Sequence, residues 1–302
     1  MRFLPALAAL ALAGCVAPRA PAPAPPPPAP VAAAPAPAPA SVPLTAFRLS
    51  GAPTQGGLLT GEAPIGAVSV VLRTPGHADA PAALAGGRFL VGFDRDAPAS
   101  VELVASLPDG RKVRHPLSVA PRAWRIERIN APFRAGRSSA EFQRLRPDEL
   151  RRIAAARAVE TGAAGWRERF RWPATGRISG RFGSQRVYRG VPGSFHSGTD
   201  VAAPTGAPVI APAGGVVVLA ADPARPFTLE GNLLIVDHGG GLNSAFLHLS
   251  RIHVREGQRV EAGQLLGEVG ATGRATGPHL HWSVKWHDAR LDPMLVAGPR
   301  PR

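Results

Sequence analysis

Cysteine is almost missing: Cys15 is the one thiol in 302 residues, so no internal disulfide can brace the fold. Lysine is nearly missing too, with only Lys112 and Lys285 among 35 basic residues. The formal charge of +14 is therefore carried by scattered arginines. No run of five or six basic residues occurs, and no basic stripe is interleaved with aromatics, which argues against a nucleic-acid partner. A basic surface suited to an anionic polymer is what remains. Aromatics make up 6% of the chain, so the cores must rest mainly on Val, Leu, Ile and Ala. No apolar run approaches the ~20 residues that cross a bilayer.

What the chain does have begins with an address. Arg2 precedes the short apolar run from Phe3 to Leu12, the pattern of a secretory signal. The run ends Leu12-Ala13-Gly14-Cys15, which resembles the lipobox of bacterial lipoproteins. That resemblance implies a signal peptide over residues 1–15 and a lipid on Cys15 that anchors the chain to a membrane by burying acyl methylenes. Val16 after the cysteine points to the outer membrane, with the protein in the periplasm. Residues 16–43 are nearly all Ala and Pro, an extended, semi-rigid tether. Tether and lipid together imply a large, fixed target.

The rest reads as mainly β. From 44 to 130, apolar runs at Ala67 to Leu72, Phe89 to Phe93, Val101 to Leu107 and Val113 to Val119 are broken by turn residues such as Asp109-Gly110. This predicts a small immunoglobulin-like β-sandwich. Residues 131–169 predict a helical joint opening at Pro147-Asp148-Glu149, with Leu150, Ile153, Ala154 and Ala158 as its apolar stripe. From 170 to 302, strands at Val209-Ile210, Val216 to Leu219, Leu233 to Val236 and Ser244 to Leu249, with a hairpin over Val260 to Val269, predict a C-terminal antiparallel β domain.

Seven of the nine histidines follow residue 195. His196-Ser-Gly-Thr-Asp200 can place an imidazole and a carboxylate on one face, and His279-Leu-His281 in a strand projects both rings to the same side. Imidazole nitrogen and carboxylate oxygen suit Zn²⁺, whose catalytic sites take three protein ligands and keep one position open. His196, Asp200 and one or both of His279 and His281 can supply that set. His238, in Asp237-His-Gly239, reads as a turn residue, and His253 and His287 read as surface.

Six motifs then run in one order: Gly180-Arg-Phe-Gly183, His196-Ser-Gly-Thr-Asp200, Ala211-Pro-Ala-Gly-Gly-Val216, Leu247-His-Leu-Ser250, the stretch Gly257 to Gln264, and the stretch Gly270 to His281. With them the segment from Ile178 to Leu295 resembles the lysostaphin-type, LytM-like zinc endopeptidases that cleave peptidoglycan peptides. The resemblance implies a fold of the duplicated-hybrid-motif kind and one Zn²⁺ per chain. It implies His196, Asp200 and His281 as metal ligands, and His248 and His279 as unligated catalytic histidines. Stem and cross-link peptides of peptidoglycan would be the substrate, cut at a D,D bond in the manner of a D,D-endopeptidase or at a glycyl bridge, with room for a regulatory protein partner. The family's usual Tyr two positions before His248 is replaced by Phe246, which leaves substrate contacts on that strand open. Asp292-Pro293 resembles a closing motif of the family. The rival expectation is a non-catalytic relative that binds wall and activates an amidase, but such relatives usually lack ligands present here. A lipoyl- or biotinyl-carrier domain would need a Lys on the hairpin about Gly263, which has none.

Overall fold

Alternation of apolar and polar residues lets a strand bury one face, and most of this chain is built that way. The computed structural model describes residues 45–132 and 140–300, which belong to the compact unit Pro43–Arg302. Cys15, the signal and the tether lie outside the described residues.

The N-terminal part forms two four-stranded antiparallel sheets. One has the order Arg48–Ser50, Leu58–Glu62, Arg88–Gly92, Ala83–Ala85; the other runs Ala80–Pro81, Ser69–Arg73, Ser100–Ser106, Lys112–Ser118. Leu59, Phe89 and Val91 of the first and Val70, Leu72 and Leu103 of the second share one apolar core. Asp109-Gly110 closes the hairpin as its sequence predicts, with Gly110 at φ +83° and Leu107 N–H donating to the Arg111 carbonyl at 2.9 Å.

The C-terminal part is an eight-stranded antiparallel sheet. Its order is Arg177–Gly180, Thr199–Ala202, His279–Trp286, Leu242–Leu249, Asn232–Gly239, Gly215–Ala220, Arg259–Val260, with Ala289–Leu291 added beside His279–Trp286. A three-stranded sheet, Pro208–Ile210, Leu265–Glu268 and Arg251–Ile252, packs into the same core. A second small sheet sets Val191–Phe195 beside Gln185–Tyr188, which pairs in parallel with Ile126–Ile129.

Three local expectations need correction. The stretch Val260 to Val269 is no hairpin: Arg259–Val260 pairs with Gly215–Ala220, while Leu265–Glu268 pairs with Pro208–Ile210 and Arg251–Ile252. Both strands are too short to hold each other, and longer-range edges claim them. The helix spans Ala140–Arg157, so it begins before Pro147 and contains it. Its packed face differs in part: Ile153 of the expected stripe does pack against a small apolar cluster with Ala156, but Leu150 is exposed and Glu149 is buried. The surface beneath offers polar partners: Thr228 N–H and hydroxyl donate to Glu149 at 2.6 and 2.7 Å, and Arg146 reaches Glu230 at 2.7 Å. Finally, His238 is a fully buried strand residue rather than part of a turn.

Candidate metal and catalytic site

Two neighbouring strands carry most of the site. On Thr199–Ala202 and His279–Trp286, Asp200 is directly opposite His281. Leu280 and Trp282 point into the core at 0% exposure, and this turns His279 and His281 to the other face. His196 arrives from the loop just before Thr199, four residues ahead of Asp200.

The side chains converge. His196 Nε2 lies 3.1 Å from Asp200 Oδ1 and 3.0 Å from His281 Nδ1, and His281 Nδ1 lies 2.8 Å from the same oxygen. One donor atom from each of the three fits within 4.8 Å of the others. Glycine makes that approach feasible. A Cβ on Gly180, the cross-strand partner of Asp200, would lie 2.2 Å from Asp200 Oδ2, and one on Gly198 would lie 2.6 Å from His281 Nε2.

Carbonyls fix the rings. His196 Nδ1 donates to the Arg181 carbonyl at 3.1 Å, which turns Nε2 toward the cluster. His248 Nδ1 donates to the Thr272 carbonyl and His279 Nδ1 to the Gly277 carbonyl, both at 2.8 Å. Each of these two rings therefore keeps a free Nε2. His279 Nε2 is 3.8 Å from Asp200 Oδ1, and the His248 ring lies 4.9 Å from His279 and 6.3 Å from His281, centre to centre. His248 sits at a bulge with φ +65°, a left-handed backbone rare for a residue with a side chain. Thr272, Gly277 and Arg181 act through backbone oxygen, which no sequence pattern encodes.

Electrostatics agree with a cation site. Burial would raise the Asp200 carboxyl, but hydrogen bonds from His196 and His281 outweigh it and hold the group well below the usual carboxylate range. Burial lowers His196, yet the bond and charge of Asp200 leave it above its ordinary value. Burial dominates at His281 and His248 and pushes both imidazoles down. Two nitrogens and an ionised carboxylate at 2.8 to 3.1 Å from one another are spaced as ligands of one small cation at ~2.0–2.1 Å, and the donor set suits zinc.

All five expected site residues are thus brought together. Phe246 is 0% exposed in the core opposite Trp282, so an aromatic there serves packing. His253 pairs with Glu268 at 2.9 Å on the surface, and half-buried His287 donates to the Pro81 carbonyl at 2.8 Å. A cavity of about 770 Å³ opens from His196 and Asp200 across Arg125, Arg181, Gln185 and Tyr188. A larger one, about 1040 Å³ between the helix and residues 224–228, touches none of the five.

Two imidazoles and a carboxylate gathered on an antiparallel sheet, with two more imidazoles across the opening, define a β-fold peptidase class with a metal-ligand cluster. The chain belongs to peptidase family M23. The family's model matches residues 194–293. The crystal structure of a Pseudomonas aeruginosa protein assigned to peptidase M23 is 30% identical, with 82% of this chain and 96% of that one covered and a TM-score of 0.62. Peptidoglycan DD-endopeptidase ShyA of Vibrio cholerae is 42% identical over 112 residues, 36% of this chain and 24% of its own length. The lipoprotein NlpD/LppB homolog of P. aeruginosa is 38% identical over 123 residues, 41% of this chain and 38% of its own. This chain thus spans about a quarter of the first of these and under two-fifths of the second.

Proposed function

We propose that this protein is a zinc-dependent endopeptidase that hydrolyses the peptide cross-links of peptidoglycan, acting on D,D bonds. The observation that carries this reading is the convergence of His196, Asp200 and His281, with His248 and His279 beside them and their Nε2 atoms free. Similarity to relatives named DD-endopeptidases supports the choice of substrate.

His196, Asp200 and His281 would hold the ion. Bound zinc polarises a carbonyl and acidifies water near neutral pH. His248 and His279, each with Nδ1 tied to a backbone carbonyl, turn Nε2 toward the site, placed to take a proton from the attacking water and return it to the leaving amine. Burial keeps His248 neutral at physiological pH, in the form a general base needs.

The lipid on Cys15 and the tether would place the enzyme in the periplasm, on the outer membrane, within reach of the wall. Among the described residues no helix is long and apolar enough to cross a membrane. Similarity to the NlpD/LppB lipoprotein homolog keeps a second reading in play, a wall-binding regulator that activates an amidase without cutting anything itself.

The deciding experiment digests purified cross-linked muropeptides with the full chain and weighs the products. Monomers from dimers are expected, lost on chelation or in His281→Ala and restored to wild type by zinc. Intact dimers in the presence of bound zinc would defeat the hydrolase reading. Amidase activation that survives His281→Ala would favour the regulator.

A further inference from the structure

The loop that presents His196 is gripped from outside the matched segment 194–293. Arg95 follows the strand Arg88–Gly92 of the N-terminal sheets and is only 6% exposed. Its Nε and Nη2 donate to the Gly183 carbonyl at 3.3 and 3.2 Å, and Nη2 also donates to Gln185 Oε1 at 3.1 Å. Asp96 orients the fork, accepting from Nη1 at 2.7 Å.

Aromatic rings fill the space around this guanidinium. It lies 4.6 Å from the centre of Phe195, the residue before His196, and 5.2 Å from that of Trp124. Trp124 packs against Gly183, where an added Cβ would stand 2.1 Å from its ring. Gly183 is at φ +78°, so both its backbone shape and its missing side chain are needed for this contact.

The gripped segment in turn fixes His196 at three points. Gly183 N–H donates to the His196 carbonyl at 2.9 Å, His196 N–H donates to the Ser184 carbonyl at 2.8 Å, and His196 Nδ1 donates to the Arg181 carbonyl. A guanidinium is well suited to this task, because a planar fork meets two acceptors at once and stacks on rings. A buried arginine with Nε and Nη2 both spent on one loop is there to define where that loop lies.

We infer that Arg95 is a positioning residue for the metal site, holding residues 181–185 so that His196 keeps its ring and tautomer turned toward Asp200 and His281. On this view the N-terminal sheets are part of the site's scaffold. The inference rests on the zinc-site reading above, and its test separates the two.

The full chain and its Arg95→Met variant, which keeps side-chain length and loses the donors, are titrated with zinc against a chromophoric chelator. Loss of an orienting partner outside the ligand set lowers metal affinity ~10–100-fold, and roughly the lower end is expected here. Arg95→Lys, which keeps one donor, is expected to fall between. Arg114→Met, on an exposed pair with Glu102, is expected to match wild type. In the zinc-loaded protein, ¹H–¹⁵N spectra are expected to show the His196 Nδ1–H held in its bond to the Arg181 carbonyl and slow to exchange with water, with faster exchange in Arg95→Met while the His248 Nδ1–H is unchanged. Should Arg95→Met not fold, Gln185→Leu carries the same readouts. Unchanged affinity with unchanged exchange of the His196 Nδ1–H overturns the inference. Failure of the wild type to bind zinc instead removes the site reading beneath it.

Discussion

At His238 the imidazole is sealed inside the sheet. Nδ1 meets the Gly214 carbonyl at 2.8 Å and Nε2 meets the Ser244 hydroxyl at 2.9 Å. Burial pulls its pKa from 6.5 down to about 4, against the upward pull of the Gly214 bond. The unfolded chain therefore takes up this proton first as the pH falls. Stability from the neutral ring is complete above ~6.5 and lost as the pH falls through about 4, about 3 kcal/mol in all. In His238→Asn, whose amide can still donate to Gly214 and does not titrate, urea unfolding at pH 7 and pH 4 is expected to show a correspondingly smaller loss than wild type. Equal losses would count against the assignment. His248 and His279 have a different fate, with one nitrogen tied and one free. Replacing either by Ala is expected to slow cleavage by about 10²–10⁴-fold while zinc stoichiometry, measured by elemental analysis, stays the same. Zinc loss in either variant would move that residue into the ligand set.

Among the elements, the helix Ala140–Arg157 shows how context overrides an apolar stripe. It docks through the polar contacts of Arg146, Glu149 and Arg157 beside Ile153 and Ala156, not through Leu150. Burial would raise the Glu149 carboxyl, but the Thr228 donors and Arg146 outweigh it and hold it below the ordinary range. Arg157 binds Asn243 Oδ1, and burial lowers its pKa to about 10. Glu149→Ala would leave the Thr228 N–H and hydroxyl without their acceptor, a loss of roughly 1–3 kcal/mol. The urea midpoint is expected to drop accordingly, and a variant as stable as wild type would show that the helix rests on other contacts. The strand His279–Trp286 is the opposite case. Its period of two places Leu280, Trp282 and Val284 in the core and the two histidines on the site face, as its sequence alone predicts.

Over the whole molecule, the N-terminal sheets and the site-bearing sheet are fused. Gly92 leaves so little room that a Cβ would stand 2.9 Å from Trp286 Cβ. Arg290 N–H donates to Asp94 at 2.8 Å, Asp292 N–H donates to the Gly56 carbonyl at 2.7 Å, and Arg122 pairs with buried Asp292 at 2.8 Å. Residues of both parts belong to one apolar cluster. Calorimetry is expected to give a single unfolding transition, and Gly92→Leu, which overpacks the seam by about 1–3 kcal/mol, is expected to lower all of it by a few degrees. Two resolved transitions, with only one shifted, would mean that the parts fold independently.

The amino-acid sequence by itself determined whatever depends on neighbours along the chain. Strand alternation, the Asp109-Gly110 turn and the shared face of His279 and His281 are all of this kind. So is the spacing of His196 and Asp200, because a repeat of two residues and a tight turn are local geometry. Only the tertiary structure decided which edges pair across long loops. It separated Arg259–Val260 from Leu265–Glu268, drew His238 inside, chose the polar face of the helix and brought Arg95 to the Gly183 carbonyl. Those outcomes turn on which partner beyond the local turn or strand satisfies a buried donor, acceptor or strand edge, from six residues away at His238 to 88 at Arg95.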